Sequence, residues 1–301
     1  MVQNSEYIIA VDGGGTGCRV RLAERSGREL ASAVGGPANV STDFDAARES
    51  VLAAISQAYR AAGLAPERRR HDIAWLGLAG AGVGDLARRM EQALGFARIR
   101  VTTDCVTAVE GALGCGEGTV ALLGTGSFFV RRQDGRDRRI GGWGYQLGDE
   151  AGGAWLGREL LRCVLHAFDG LCEHSALSRE ILAEHGNSPG EIVRFAQHAQ
   201  PGEIARLAPR IAAARSQGDP LAQRIMTRAV ELICDRLEVL GAQDAGALYL
   251  LGGLAPVYAP LLPEPLRRLL RPPRGSALDG AVALAIRHLA EGKKEAGHER
   301  A

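Results

Sequence analysis

The sequence predicts an α/β protein of two domains with a ligand cleft between them, on three observations. The chain has 301 residues, more than one hydrophobic core usually serves, so a split into two domains is expected. Its first third alternates apolar strands with amphipathic helices, the pattern of parallel strands joined by crossovers. Finally, a strand, glycine turn and strand are written twice, as IIAVDGGGTGCRV from residue 8 and TVALLGTGSFFV from residue 119. A repeated opening implies duplication of one fold.

Residues 7–11, 18–24 and 28–34 read as short strands turned by DGGGTG and ERSGRE, so the chain opens as a meander rather than a strand-to-helix unit. DFDAARESVLAAISQAYRAAG then places Phe44, Ala47, Val51, Ala54, Ile55 and Ala58 on one helical face, with Ser41 or Thr42 as N-cap and Gly63 as terminator. IAWLGLA (strand), DLARRMEQAL (helix), RIRVTT (strand) and CVTAVEGALG (helix) complete a first domain, residues 1–114. The second domain, 115–301, repeats the opening. RDRRIGGWG supplies a third strand and a loop, and a mainly helical insertion follows over about 150–240, broken at HGNSPGE, AQPGE and SQGDP. GALYLLGGLA returns to a strand ending in paired glycines, and LDGAVALAIRHLAEG closes this domain as a helix.

Composition excludes several classes. Hydrophobic residues make up 46% and charged residues 24%, an ordinary soluble balance, and no apolar run reaches the roughly 18 residues of a membrane span. MVQNSEYIIAV lacks the basic and apolar regions of a secretory signal, so a cytoplasmic protein is expected. A net charge of +1 with interspersed signs gives no footprint for nucleic acid, and ERRRHD at 67–72 reads as a solvated loop. The six cysteines, Cys18, Cys105, Cys115, Cys163, Cys172 and Cys234, form no C-x-x-C pair and read as reduced, mostly buried small hydrophobes. Lysine occurs only at Lys293 and Lys294, in the polar tail. P-loop hydrolases, protein-kinase-like folds and Schiff-base enzymes all need a lysine in the core, so all three are excluded.

The glycine motifs carry the chemistry that remains. Asp12 closes an apolar strand, and Gly13, Gly14, Gly15 and Thr16 follow, residues free to take positive φ and bring bare backbone to a phosphate. An Asp-Gly hairpin turn reads the same in isolation. Gly124, Thr125, Gly126 and Ser127 repeat the arrangement in the second domain, where two such hairpins facing a cleft clamp phosphates without lysine. Asp104 stands where strand RIRVTT passes into a helix, either as a helix N-cap or as a carboxylate at the ligand-binding edge of a parallel sheet. Asp149 in GGWGYQLGDE reads as a helix cap or a ligand contact, and Asn39 in GGPANVST as a turn residue or a two-way hydrogen-bonding amide. GLAGAGVG at 77–84 lacks the third glycine of a dinucleotide fingerprint and is expected to shape the cleft floor.

Together IAVDGGGTGCRV, VALLGTGSFFV, IGGWGYQLGDEAGGAW and LYLLGGLA resemble the phosphate-, sugar- and adenosine-binding elements of the acetate and sugar kinase, actin and heat-shock chaperone superfamily. The nearest match is its N-acetylglucosamine and glucosamine kinase group, close to the ATPases and activators of benzoyl-CoA reductase type. The resemblance implies two ribonuclease-H-like (actin-like ATPase) domains with nucleotide and sugar in an interdomain cleft, ATP and Mg²⁺ as cofactors, and phosphorylation of an amino sugar on its 6-hydroxyl. It implies that Asp12 holds Mg²⁺ through water and that Asp104 is the catalytic base. Asn39, Asp104, Gly142 and Asp149 would contact the sugar, and the adenosine would lie on Gly252 and Gly253. Trp143 and Tyr145 are expected to pack the domain interface, and a homodimer is implied. One departure stands out: Ala79 or Gly80 replaces a serine that the animal N-acetylglucosamine kinases place on the sugar, which leaves recognition of the acetamido group open. Two rivals remain: an ATPase activating a reductase, which scattered cysteines do not favour, and a non-catalytic sugar sensor, which Asp12 and Asp104 do not favour.

Overall fold

A computed structural model describes residues 6–298. The chain forms two compact units, Met1–Gly116 with Pro273–Ala301, and Glu117–Pro272.

In the first unit β1 (Ile8–Gly13), β2 (Cys18–Ala23) and β3 (Glu29–Gly35) form an antiparallel meander, and β4 (Ile73–Leu78) and β5 (Arg98–Thr102) add in parallel beside β1. The strand order is β3-β2-β1-β4-β5. β1 reads as an unbroken apolar run because both of its faces are covered. Ile9 and Val11 pack with Val51, Ile55 and Tyr59 of α1 (Phe44–Ala61) and with Met90 and Leu94 of α2 (Leu86–Leu94). Ile8 and Ala10 point the other way, onto Leu278, Ala281, Val282 and Ala285 of the C-terminal helix, Ala277–His298.

That helix corrects the expected boundary. It closes the first unit rather than the second, because Ile8, Ala10 and Ile73 present an apolar face that only its Leu278–Ala285 stripe covers in this cluster. It also crosses α3 (Asp104–Leu113) at glycine contacts. A Cβ on Gly280 would lie 2.1 Å from the Thr107 carbonyl oxygen, one on Gly111 2.0 Å from that of Ser276, and one on Gly77 of β4 2.0 Å from Thr107 Oγ1. The helix that carries Asp104 is thus seated by three absent side chains. Gly280→Ala is expected to lower the melting temperature by an amount equivalent to about 1–3 kcal/mol of overpacking; an unchanged thermal melt would show that the crossing has slack.

Two local expectations change. The N-cap of α1 is Asp43, whose carboxylate accepts from the Ala46 N–H at 3.0 Å, not Ser41 or Thr42. ERRRHD is not merely solvated, because residues 66–71 form one 3₁₀ segment that brings Arg68 to 3.5 Å from Asp72. Asp72 is fully buried and accepts from the Tyr7 N–H (2.8 Å) and the Tyr59 hydroxyl (2.9 Å). Burial pushes its carboxyl up despite these donors. Its protonated form therefore contributes stability that is fully present below the ordinary carboxylate range and is lost as pH rises through the raised value and the buried group ionises, so Asp72 does not drive acid unfolding.

The second unit repeats the meander. β6 (Gly118–Leu123), β7 (Ser127–Gln133) and β8 (Arg136–Gly141) are antiparallel, and β9 (Leu248–Leu251) lies parallel to β6, in the order β8-β7-β6-β9. This matches the first four positions of the first sheet, as duplication predicts. The fifth is reduced to an isolated bridge from Leu248 to Leu270. Between β8 and β9 run α4 (Gly153–Phe168), α5 (Ala176–Glu184), α6 (Pro189–His198), α7 (Pro201–Ala205), α8 (Ala208–Ser216) and α9 (Pro220–Val239). Leu156, Leu160, Val164, Ile181, Ile211, Ile225 and Ile233 pack these helices onto Ala121, Leu123 and Phe129 of the sheet. No described helix is long and apolar enough to cross a membrane. The cysteines are free as expected, but only Cys18, Cys105 and Cys163 are buried, and Cys115 is exposed.

Candidate functional site

The first unit gathers its predicted residues at one edge. β1, β4 and β5 run parallel, so their carboxyl ends bring together the DGGGT hairpin, the 79–82 loop and the start of α3. Backbone bonds tie the parts: Ala79 N–H donates to Gly13 O (2.8 Å), Ala38 N–H to Gly14 O (2.9 Å) and Val40 N–H to Ala79 O (3.0 Å).

DGGGT closes with a bond from Gly14 N–H to Gly17 O at 2.9 Å. The left-handed backbone expected there is absent: Gly13, Gly14, Gly15 and Gly17 all lack positive φ. Gly13 is a glycine for room. A Cβ on Gly13 would lie 2.6 Å from Leu78 Cδ2 and 2.9 Å from Ala38 Cβ, whereas one on Gly14 would meet nothing closer than 3.9 Å. Among the described residues the N–H groups of Gly15 and Thr16 have no acceptor in the chain, and such donors at a glycine turn suit an anion.

Asp12 sits directly opposite Arg19 across the hairpin, and its carboxylate accepts from that guanidinium at 2.5 Å. The carboxylate is 18% exposed. Mg²⁺ keeps most of its water and is commonly held by one or two carboxylates plus substrate phosphates, so a single half-buried acid beside free N–H donors fits it. Among the described residues no group of three or more acidic, His or Cys side chains could cage a metal. Arg19 escaped the sequence reading, although counting the hairpin register outward from Gly13 and Cys18 would have found it.

Asn39 is half committed. Its Oδ1 accepts from the Ser41 N–H (3.0 Å) and the Ser41 hydroxyl (2.9 Å), leaving the amide NH₂ as a donor rather than the two-way group expected. Gly80 backs this turn at φ +78, and a Cβ there would lie 2.5 Å from both Asn39 Oδ1 and Ser41 Oγ. Ser41 therefore occupies the space that a side chain at position 80 would need. Asp104 is the first residue of α3, and the N-cap is Thr103. Its Oδ1 accepts from the Cys105 N–H at 3.0 Å, and the N-terminal end of the helix favours its charge.

In the second unit GTGS lies on the start of α4: Gly153 N–H donates to Gly124 O (2.8 Å) and Ala154 N–H to Thr125 O (2.9 Å). Among the described residues the N–H groups of Thr125 and Gly126 have no acceptor in the chain. Ser127 spends its hydroxyl inside the chain. It is 3% exposed, its hydroxyl donates to Glu150 O (2.7 Å) and its N–H goes to Asp149.

Asp149 is not a helix cap, since Gly152 caps α4. It takes a left-handed backbone, φ +58, and its carboxylate accepts the N–H groups of Ser127 and Gly144. Burial raises its pKa, and the two donors pull it back. A Cβ on Gly126 would lie 2.3 Å from Asp149 Oδ2, so this carboxylate is packed against the phosphate hairpin. Gly142 is exposed at φ +70. Trp143, expected to pack, is 72% exposed with the Arg139 guanidinium over its ring. Gly252 adopts φ +89, and a Cβ there would lie 2.4 Å from Leu123 O. Gly253 faces open space, and Leu254 N–H donates to Leu123 O at 3.0 Å. LGGLA thereby abuts the base of GTGS.

The chain is similar to known proteins over most of its length. The model of the BadF/BadG/BcrA/BcrD ATPase family matches residues 9–258. Glucosamine kinase GspK of Vibrio cholerae is 31% identical over 280 residues, 93% of this chain and 95% of the relative. An N-acetylmuramic acid/N-acetylglucosamine kinase of Clostridium acetobutylicum is 27% identical over 234 residues, 74% and 76% of the two chains. A crystal structure from Chromobacterium violaceum, whose name proposes an N-acetylglucosamine kinase, superimposes with TM-score 0.86 at 36% identity, covering 94% of this chain and all of that one. A ROK family glucokinase from Streptomyces griseus, solved with glucose and AMPPNP, shares the fold at TM-score 0.58 and 18% identity, over 93% and 98% of the chains.

Proposed function

Because the chain belongs to the BadF/BadG/BcrA/BcrD ATPase family, we propose that it is an ATP-dependent kinase of an amino sugar, glucosamine or N-acetylglucosamine, acting on the 6-hydroxyl. The observation that carries this reading is the carboxyl edge of the first sheet. There one hairpin offers unpaired N–H groups to phosphate, Asn39 in the loop after β3 supplies an amide donor, and Asp104 after β5 supplies a carboxylate suited to hydroxyl chemistry.

Phosphoryl transfer asks for position and charge compensation more than covalent work. Each unit has its own hairpin with N–H donors suited to the phosphates of ATP, Gly15 and Thr16 in the first and Thr125 and Gly126 in the second. Asp12 would hold Mg²⁺ through water, which would supply charge neutralisation to the phosphates. The Asn39 amide donates to a sugar oxygen. Asp104 accepts the proton of the attacking hydroxyl, which needs its carboxylate ionised and aimed, and the start of α3 favours both. Gly252 and Gly253 give the adenosine a surface without side chains.

The test is ADP release by purified protein with Mg-ATP against glucosamine, N-acetylglucosamine, N-acetylmannosamine, glucose and no sugar. Release that depends on one amino sugar is expected. Release equal in every arm would point to an ATPase instead.

A further inference from the structure

The segment before α4 carries a backbone conformation that the mechanism above does not explain. Asp149 (φ +58) and Ala151 (φ +64) are both left-handed, and Ala151 is fully buried. Aspartate tolerates this region, but alanine has no side chain to compensate and is strained there. Such strain persists only where the surroundings over-determine it, and it concentrates at functional sites.

The surroundings do so here. Asp149 O accepts from Gly152 N–H (3.0 Å), Glu150 O from the Ser127 hydroxyl (2.7 Å), and Ala151 O from the Tyr258 hydroxyl (2.7 Å). Three consecutive carbonyls are held by three different donors. Tyr258 is fully buried and ends α10 (Ala255–Tyr258), the helix that leaves LGGLA. The turn in turn supports GTGS, since a Cβ on Gly152 would lie 2.7 Å from the Gly126 carbonyl carbon. One phenol hydroxyl therefore links the adenosine segment to Asp149 and to the phosphate hairpin.

We propose that Tyr258 is a positioning residue: through Ala151 it fixes the left-handed turn that aims the Asp149 carboxylate and seats GTGS. This rests on the kinase reading. Tyr258→Phe removes the hydroxyl alone, leaves Ala151 O without its donor, and lets the turn relax toward ordinary backbone. Small displacements of positioning groups cost rate steeply, so kcat is expected to fall by roughly tenfold or more, and the acidic limb of the pH–rate profile to move as Asp149 changes surroundings. Ala151→Gly removes the backbone strain. Added to Tyr258→Phe, it is expected to recover most of the lost rate.

Kinetics of wild type, Tyr258→Phe, Ala151→Gly and the double variant decide it, with hydrogen exchange of residues 124–127 and 149–154 read in parallel. Slower turnover, faster exchange in those residues and rescue by glycine are the expected results. A lower melting temperature with wild-type kcat, KM, pH profile and exchange would make Tyr258 a packing residue and overturn the proposal alone. If Tyr258→Phe fails to fold, the double variant carries the test: folding with near-wild-type rate supports the proposal, and folding without activity overturns it. A wild type that shows no sugar-dependent turnover defeats the kinase reading itself, and the positioning role of Tyr258 with it.

Discussion

Asp104→Asn is expected to lower kcat by a factor of about 10²–10⁴, the usual contribution of a general base, while nucleotide affinity and fold survive. The substitution is unusually clean in this setting. Asp104 is the first residue of α3, and the bond it accepts, from the Cys105 N–H, can equally be made to an amide oxygen. Neither Thr107, whose hydroxyl donates to the Asp104 carbonyl at 3.0 Å, nor the glycine contacts that seat α3 involve the carboxylate. Losing the favourable interaction of a negative charge with the helix N-terminus costs about 0.3–1 kcal/mol, too little to unfold the unit. Steady-state kinetics on the best amino sugar, with a thermal melt and calorimetric titration of nucleotide, separate the two effects. A variant that keeps more than a tenth of the wild-type rate would remove Asp104 from the base role and leave it as a helix-terminal acid.

Legibility of the sequence divided along physical lines. Strands and helices were readable wherever burial is periodic. The alternation of Ile8 and Ala10 with Ile9 and Val11, and the stripe of α1, follow from faces that must be covered. The repeated opening announced two sheets of matching order. What could not be read was which surface covers which: the C-terminal helix is apolar on one face, but nothing local says that its partner is the first sheet. The same limit applies at the site. Asp12 and Asp104 stand where the parallel strands β1 and β5 end, a rule of chain order, whereas Asn39 follows β3, which pairs antiparallel with β2. That Asn39 spends its carbonyl on Ser41, that Ser127 turns its hydroxyl inward to Glu150, and that Asp149 packs on Gly126 depend on side chains meeting across loops. The glycines of DGGGT suggest a licence for positive φ, whereas Gly13 is required by the closeness of Leu78 and Ala38 and has no positive φ.

Gly126 poses that question in its sharpest form. A glycine in GTGS is needed either because a phosphate approaches its backbone or because another part of the protein fills the place of its side chain, and the geometry favours the second. A Cβ would lie 2.3 Å from Asp149 Oδ2 and 2.8 Å from Cγ, and Gly126 has no positive φ that would itself forbid alanine. Gly126→Ala is therefore expected to expel the Asp149 carboxylate from the N–H groups of Ser127 and Gly144, lowering kcat/KM by about 100-fold, as misplaced positioning groups do. Asp149→Ala should lose activity by abandoning the same anchor. Once the carboxylate is gone, however, the new methyl has room, so the double variant should be no worse than Asp149→Ala alone. Two changes that share one contact couple by about 0.5–3 kcal/mol. Kinetics on the four proteins of the cycle measure that coupling directly. Losses that multiply would mean that the two positions act separately, that a ligand and not Asp149 is what Gly126 makes way for, and that the carboxylate works on the sugar without supporting the hairpin.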